Sequence, residues 1–181
     1  RQMCIRDSFM KIAICDDDNS FLQNVKFLIN KIYSNPDKLS IYEYESGEQF
    51  LLQFKPQLYD VIILDIEMCG ITGLEVAEEI RKIDKSVILA FFTSHQEFAT
   101  LGYEVNAFRY ILKNQPEHMF INQLKSIFDE YHQSHITFPV QASSEVVNVL
   151  VSDILYFEIF KRTVVLHTIK KKYQFNGKLS E

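Results

Sequence analysis

The chain has 181 residues, a formal net charge of −5 at pH 7 and 47% hydrophobic residues. This length suits one domain or two small ones. No apolar stretch approaches the roughly 18 residues that a membrane-spanning helix needs, so a soluble, cytoplasmic protein without a membrane partner is expected. The three cysteines have neither paired nor metal-ligand spacing, which indicates a reducing compartment and excludes a disulfide-stapled scaffold.

The first nine residues do not resemble a structural element. They lack the long apolar segment of a signal peptide, and Met10 opens a strand-like run directly afterwards. The string is similar to the translation of a transposase-type sequencing adapter. We therefore expect residues 1–9 to be an artefact and the fold to begin at Met10.

From Met10 onward, apolar strand-like runs alternate with segments whose apolar residues recur at helical spacing. Strands are predicted at 11–15, 40–44, 59–65, 86–92 and 107–112. Helices are predicted at 20–33, 47–54, 73–83, 95–103 and 117–133, with Asp18 or Asn19 and then Ser46 as the first two caps. Five β/α units with short connections predict an α/β fold with a doubly wound, five-stranded parallel sheet.

Residues able to carry chemistry follow four of these strands. Asp16 and Asp17 follow the first strand, Asp65 the third, Thr93 the fourth and Lys113 the fifth. Ligands bind outside the carboxyl ends of strands in an open α/β sheet, so these side chains should converge. Clustered carboxylates repel one another unless a hard cation such as Mg²⁺ joins them. The set predicts phosphoryl transfer, with Asp65 attacking phosphorus.

Taken singly, each residue has a plainer interpretation. Asp18 suits a helix cap, threonine commonly ends strands, and Lys113 could be a solvated surface charge. Their ordered placement at four strand ends favours a shared site. A haloacid-dehalogenase-like phosphatase also uses a strand-end aspartate, but it normally has a second aspartate two residues later, where this chain has Glu67.

These motifs resemble the receiver domain of bacterial two-component response regulators. The similarity covers residues 10 to about 133 and implies a flavodoxin-like fold. It rests on ICDDD at 14–18, VIILDIEM at 61–68, the turn at 70–73, FTS at 92–94 and AFRYILK at 107–113. The resemblance implies a sensor histidine kinase as partner, homodimerisation on phosphorylation, and no enzyme activity beyond self-catalysed phosphoryl transfer and dephosphorylation.

The same resemblance assigns roles to individual residues. It implies Asp65 as the phosphoacceptor, whereas the chemistry of phosphoryl transfer itself predicts that Lys113 and Thr93 bind phosphoryl oxygens. It also implies a Mg²⁺ site made by Asp16, Asp17, Asp65 and the backbone carbonyl of Glu67. These roles agree with the chemistry expected from the strand ends.

The resemblance further implies a conformational switch. Thr93 would move toward the aspartyl phosphate and Tyr110 would follow, although Tyr110 alone could be a half-buried strand aromatic. Receivers usually carry a cis proline directly after the strand-five lysine, and this chain has Asn114 there. A cis Lys113–Asn114 bond would cost roughly 2.5–4 kcal/mol, so this loop departs from the family pattern.

Charge and periodicity change after residue 133. Residues 10–136 hold 11 Lys and Arg against 19 Asp and Glu, whereas residues 137–181 hold 6 against 4. Short strands replace the helical period and are predicted at 136–140, 146–151, 154–158, 163–167 and 172–175. We expect a receiver domain over 10–133, a linker at 134–139 and a small all-β domain over 140–181.

The tail resembles the first half of a LytTR DNA-binding domain at 151–158, 160–162 and 173–181. The second half is missing, so this domain is expected to be truncated and incomplete. Lys161 and Arg162 fall where the family's first DNA-contacting loop lies. The basic run at 170–172 is interpreted as a solvated hairpin.

The sequence as a whole predicts a phosphorylation-dependent response regulator. It would accept a phosphoryl group from a sensor histidine kinase on Asp65 and control transcription, with DNA bound by the full-length protein. The alternative is a receiver that acts by phosphoryl relay or protein–protein interaction without binding DNA.

Overall fold

A computed structural model describes residues 4–5, 9–95, 97–142 and 145–176. The chain divides into two compact units: residues 8–131 form the first, and residues 132–181 together with Cys4–Ile5 belong to the second. Of the nine residues predicted to lie outside the fold, Cys4–Ile5 forms a short strand that pairs with Ile136 and Thr137. Among the described residues, no helix has the length and apolar character needed to cross a membrane.

The first unit contains the predicted five-stranded parallel sheet. Its strands are β1 (Met10–Cys15), β2 (Leu39–Tyr44), β3 (Val61–Leu64), β4 (Ile88–Thr93) and β5 (Arg109–Leu112). They lie in the order β2-β1-β3-β4-β5. This is the flavodoxin-like order, whose switch point lies between β1 and β3. β3 and β4 are buried along their whole length, as expected for central strands covered by helices on both faces.

In the part of the chain that the structure describes, four α-helices cover the two faces of this sheet. They are α1 (Asn19–Ile32), α2 (Gly47–Gln53), α3 (Gly73–Ile83) and α4 (Glu117–Ser134). Successive side chains of a strand point to opposite faces, so β1 contributes to two cores. Ile12 and Ile14 pack with α1 and α4, whereas Ala13 and Cys15 pack with α2 and α3. The sheet is therefore covered by a packed core on each face.

Local signals set the helix starts. The Asp18 carboxylate accepts hydrogen bonds from the backbone N–H groups of Ser20 and Phe21, which confirms it as the α1 cap. The segment predicted as a helix at 95–103 is a 3₁₀ helix, Glu97–Tyr103. Seven residues that include Gly102 suit this tighter form, because short pieces and glycine both disfavour a sustained α-helix.

The second unit is built of antiparallel strands. They are β6 (Ile136–Ala142), β7 (Glu145–Leu150), β8 (Ile154–Phe160), β9 (Thr163–Thr168) and β10 (Lys172–Asn176). β6 lies between Cys4–Ile5 and β7, while β9 lies between β8 and β10. Val140, Val149 and Leu166 form a small core. Since α4 runs to Ser134 and β6 begins at Ile136, most of the predicted linker lies in regular structure.

Asp84 connects neighbouring loops of the first unit at the edge of the sheet that lies away from the predicted site. Its buried carboxylate accepts hydrogen bonds from the N–H groups of Gln57, Ser86 and Val87 and from the Ser86 hydroxyl, at 2.8–3.1 Å. Burial by itself raises the pKa of Asp84, but these hydrogen bonds outweigh it and hold the pKa below its ordinary value.

We expect Asp84→Ala to lower the free energy of unfolding by roughly 2–4 kcal/mol at pH 7, because buried donors lose a charged acceptor. A depressed folded-state pKa stabilises the fold above the unfolded pKa of about 4, and this contribution is lost as the pH falls through the folded value. Urea titrations at pH 7 and pH 3 should therefore show that the difference in unfolding free energy between Asp84→Ala and the native chain is smaller at pH 3. Asp37→Ala, at an exposed position, is the control. An equal loss of unfolding free energy in Asp37→Ala would contradict the stabilising role of Asp84.

Candidate functional site

The predicted strand-end residues meet at one rim of the parallel sheet. Asp16 follows β1, Asp65 follows β3, Thr93 ends β4 and Lys113 follows β5. The Asp65 N–H donates to the Cys15 carbonyl at 2.8 Å, and the Lys113 N–H donates to the Thr93 carbonyl at 2.9 Å. The ladder of the sheet thus continues past the strands and fixes the backbone beneath the site.

The Lys113 ammonium group joins the two buried carboxylates. Its Nζ lies 2.7 Å from Asp65 Oδ2 and 2.5 Å from Asp16 Oδ2, and 4.4 Å from the centre of the Phe21 ring. Burial lowers the pKa of Lys113, but the hydrogen bonds and charges of the two aspartates outweigh it and raise the pKa above its ordinary value. Lys113 therefore remains a cation. The Lys113–Asn114 peptide is trans, and the lysine reaches the site without the family's proline.

Three carboxylates form a candidate metal site. Asp16, Asp17 and Asp65 each offer an oxygen, and these oxygens lie within 4.8 Å of one another. Burial is the largest influence on Asp16 and raises its pKa, so its charged form needs a compensating cation. Asp65 Oδ1 is buried and makes no hydrogen bond. Three carboxylates close together supply hard oxygen donors with excess negative charge, which fit Mg²⁺.

The loop after β3 lies beside the acidic cluster. The Cys69 N–H donates to Asp17 Oδ2 at 3.0 Å, which ties this loop to the loop after β1. Glu67, predicted to offer its carbonyl to the metal, lies in the same loop. Its side chain pairs with His95, with 2.8 Å between Oε2 and Nε2. The role of its carbonyl stays a prediction.

Thr93 and Tyr110 are linked through His95, a residue for which the sequence suggested no role. The His95 N–H donates to Thr93 Oγ1 at 3.3 Å, and the Tyr110 hydroxyl donates to the His95 carbonyl. Tyr110 is half-buried and packs against Phe91, with 6.3 Å between ring centres. The only sequence signal for His95 was its position two residues after Thr93.

Gly73 was identified in the sequence only as the end of the turn at 70–73, and its packing role was not predicted. A Cβ placed on it would lie 1.9 Å from the Asp65 carbonyl oxygen, so α3 begins against the backbone of the proposed acceptor. The Gly73 N–H also donates to the Ile66 carbonyl at 3.0 Å. Glycine is therefore required here by close backbone approach.

The predicted DNA-contacting residues lie in the second unit. Lys161 and Arg162 form the exposed turn between β8 and β9, and Lys161 has a φ of 57°. Lys161 Nζ lies 5.5 Å from the centre of the Phe160 ring. In the basic run, Lys170 pairs with Asp153 at 3.0 Å, which suits the predicted solvated hairpin.

Comparison with known proteins agrees with this geometry. A family model described as the response regulator receiver domain matches residues 12–125. Sensory transduction protein LytT of Enterococcus faecalis is 22% identical over 182 residues, covering 94% of this chain and 74% of that protein. Transcriptional regulatory protein LytR of Staphylococcus aureus is 31% identical over 104 residues, covering 58% and 41%. The solved response regulator TrrA of Thermotoga maritima, in complex with Mg²⁺-BeF, has a TM-score of 0.54 and 28% identity over 65% of this chain and 98% of that one.

The matched segment contains the whole acidic cluster and Lys113. The chain therefore belongs to the response regulator receiver domain family. It is a regulator of the phosphorylation-dependent two-component type, and its similarity to LytT continues through the second unit.

We expect Gly73→Ala to destabilise the first unit by roughly 1–3 kcal/mol, because the added methyl group overpacks against the Asp65 backbone. Phosphoryl uptake from acetyl phosphate should slow as well, since Asp65 must shift. Thermal unfolding and intact mass spectrometry measure the two effects. The matched control is Gly102→Ala, whose methyl group would have ordinary contacts of 3.7–3.8 Å; similar losses in both variants would refute the close-approach argument.

Proposed function

We propose that Asp65 accepts a phosphoryl group from a sensor histidine kinase and that its phosphorylation controls transcription. The observation that carries this proposal is the asymmetry of the Asp65 carboxylate. Oδ2 is held by Lys113 at 2.7 Å, whereas the buried Oδ1 makes no hydrogen bond. One oxygen is anchored and the other is available for attack.

The transfer follows from the groups around Asp65. A bond forms between Asp65 Oδ1 and phosphorus as the bond from phosphorus to the kinase imidazole nitrogen breaks. Lys113 compensates charge on a phosphoryl oxygen, and the buried Thr93 hydroxyl donates to another. A Mg²⁺ ion held by Asp16, Asp17, Asp65 and the Glu67 carbonyl would neutralise further charge on the phosphoryl oxygens.

In this proposal, His95 couples the phosphorylation site to the surface beside β5. When Thr93 turns its hydroxyl toward the phosphoryl group, it gives up the hydrogen bond from the His95 N–H. His95 also accepts from Tyr110, so a shift of its backbone is transmitted to β5. Two arrangements of this segment, one favoured by phosphorylation, would bias homodimerisation on the surface beside β5.

We assign DNA binding, and with it the control of transcription, to the second unit. Support comes from the antiparallel strands after residue 135, from the similarity to LytT through this region, and from the exposed basic turn at Lys161 and Arg162. Basic side chains in such a turn would bind DNA phosphates. This chain spans 74% of the length of LytT of Enterococcus faecalis, and we assign specific DNA binding to a chain of that full length.

Asp65→Asn should abolish phosphoryl uptake from acetyl phosphate and Mg²⁺ while leaving the fold intact, because the amide is isosteric but not a nucleophile. Intact mass should show one added phosphoryl group on the native chain, and none after the substitution or after Mg²⁺ chelation. Asp18→Asn is the matched control, since asparagine also caps helices and Asp18 lies beside the acidic pair. Normal uptake by Asp65→Asn would identify another acceptor.

In a chain extended to the length of the LytT relatives, we expect salt-sensitive binding to duplex DNA. Lys161→Ala and Arg162→Ala should each weaken binding and reduce the slope of log K against log salt by about 1, because one phosphate contact is lost. Fluorescence anisotropy across a salt series measures this, with Lys170→Ala as control because Lys170 pairs with Asp153. No binding by the extended chain would favour the relay or protein-interaction alternative.

A further inference from the structure

Segment 69–71, in the loop between β3 and α3, is held by two carboxylates that reach it from different elements. The Cys69 N–H donates to Asp17 Oδ2 at 3.0 Å, and the Ile71 N–H donates to Glu48 Oε1 at 3.0 Å. Asp17 lies in the loop after β1, whereas Glu48 lies in the first turn of α2. The segment therefore connects a predicted metal ligand to a residue of another element.

The start of α2 packs closely against this segment. A Cβ placed on Gly47 would lie 2.6 Å from Ile71 Cγ1, so the backbone next to Glu48 is held against the loop. Gly70 has a φ of 92°, and a Cβ placed on it would collide with Glu48 Oε1. Glycine accepts this φ and leaves room for the carboxylate. The shape of the loop thus admits the Glu48 side chain.

Hydrogen bonding favours the charged form of Glu48. Hydrogen bonds from its own backbone N–H and from the Ile71 N–H lower the pKa of Glu48 below its ordinary value. At neutral pH the side chain is therefore a carboxylate. Backbone N–H groups form stronger hydrogen bonds with a carboxylate than with a neutral acceptor, which favours a fixed contact at Ile71.

Asp17 is the exposed member of the candidate metal cluster. Lys113 holds the buried carboxylates of Asp16 and Asp65. Asp17 instead accepts a hydrogen bond from the Cys69 N–H. Carboxylates that bind a metal are oriented by hydrogen bonds from such outer partners, and the loss of a partner weakens metal binding. The orientation of Asp17 therefore depends on the position of the Cys69 backbone.

We propose that Glu48 is a positioning residue for the metal site. Glu48 holds the Ile71 N–H and thereby fixes segment 69–71. In this position the Cys69 N–H keeps Asp17 in the orientation that binds Mg²⁺. Among the described residues, the cluster of converging carboxylates does not include Glu48, so the effect is transmitted through the loop. The inference rests on the Mg²⁺ site of the proposed phosphoryl transfer and adds a residue that supports it.

An NMR titration of the full chain with MgCl₂ measures the effect on the ion without a phosphoryl donor. Glu48→Ala should weaken Mg²⁺ binding by about tenfold, at the lower end of the loss expected for an outer partner. Glu48→Gln should bind Mg²⁺ nearly as tightly as the native chain, because its amide oxygen can still accept from the Ile71 N–H. Glu45→Ala removes an exposed carboxylate just before α2 and should leave the affinity unchanged.

Amide hydrogen exchange without Mg²⁺ tests the transmission through the loop. In Glu48→Ala, the Ile71 amide loses its acceptor and should exchange about tenfold faster, as expected for local opening. The Cys69 amide, which bonds Asp17 rather than Glu48, should also exchange faster. The Gly73 amide donates to the Ile66 carbonyl and should keep its native rate. Glu48→Gln should restore slow exchange at Ile71 and Cys69.

Native Mg²⁺ affinity in Glu48→Ala would overturn the proposal. An equal loss in Glu48→Ala and Glu48→Gln would overturn it as well, because the loss of charge alone would explain the effect. An unchanged exchange rate of the Cys69 amide would contradict transmission through the loop.

The same titration separates this inference from the proposed phosphoryl transfer. If Mg²⁺ binding depends on Glu48 as expected but the native chain takes up no phosphoryl group from acetyl phosphate, the transfer is refuted and the role of Glu48 is supported. If the native chain does not bind Mg²⁺, both are refuted.

Discussion

The contact on which the site depends is the bridge from Lys113 to two buried carboxylates. Asp16 and Asp65 are 1% and 6% exposed and lie at the ends of neighbouring strands, where two bare charges would repel each other. The Lys113 ammonium compensates part of this charge. In the proposed transfer, Lys113 would order the rim before a phosphoryl group arrives, so that little reorganisation is needed at the moment of reaction.

The bridge also explains why Asp65 has two different oxygens. Lys113 reaches Oδ2, and the orphaned Oδ1 faces a rim whose charge is only partly compensated. For the proposed phosphoryl transfer, Asp65 would have to stay nucleophilic while its backbone is held still. The hydrogen bond from the Asp65 N–H to Cys15 and the close approach of Gly73 meet the second need.

Much of this arrangement follows from sequence pattern alone. The apolar runs before Asp16, Asp65 and Lys113 predict buried parallel strands, and chain order then places those residues on one rim. His95 and Gly73 could not be found in this way. Their roles depend on backbone atoms of residues distant in sequence, or on packing between elements, and neither leaves a periodic signal. The 3₁₀ form of the segment before β5 was missed for a related reason, since helical spacing does not distinguish short helix types.

The edge strands of the two units are covered to different extents. In the first unit, β2 and β5 are edge strands, but their apolar side chains pack under α1, α2 and α4. The second unit has no described α-helix beyond Ser134 to cover its strands. Its small core of Val140, Val149 and Leu166 is buried, whereas five large apolar side chains of β8 remain 39–70% exposed. An edge strand can be covered by a helix, a loop or another strand, and in the described residues β8 has none of these on its outer side.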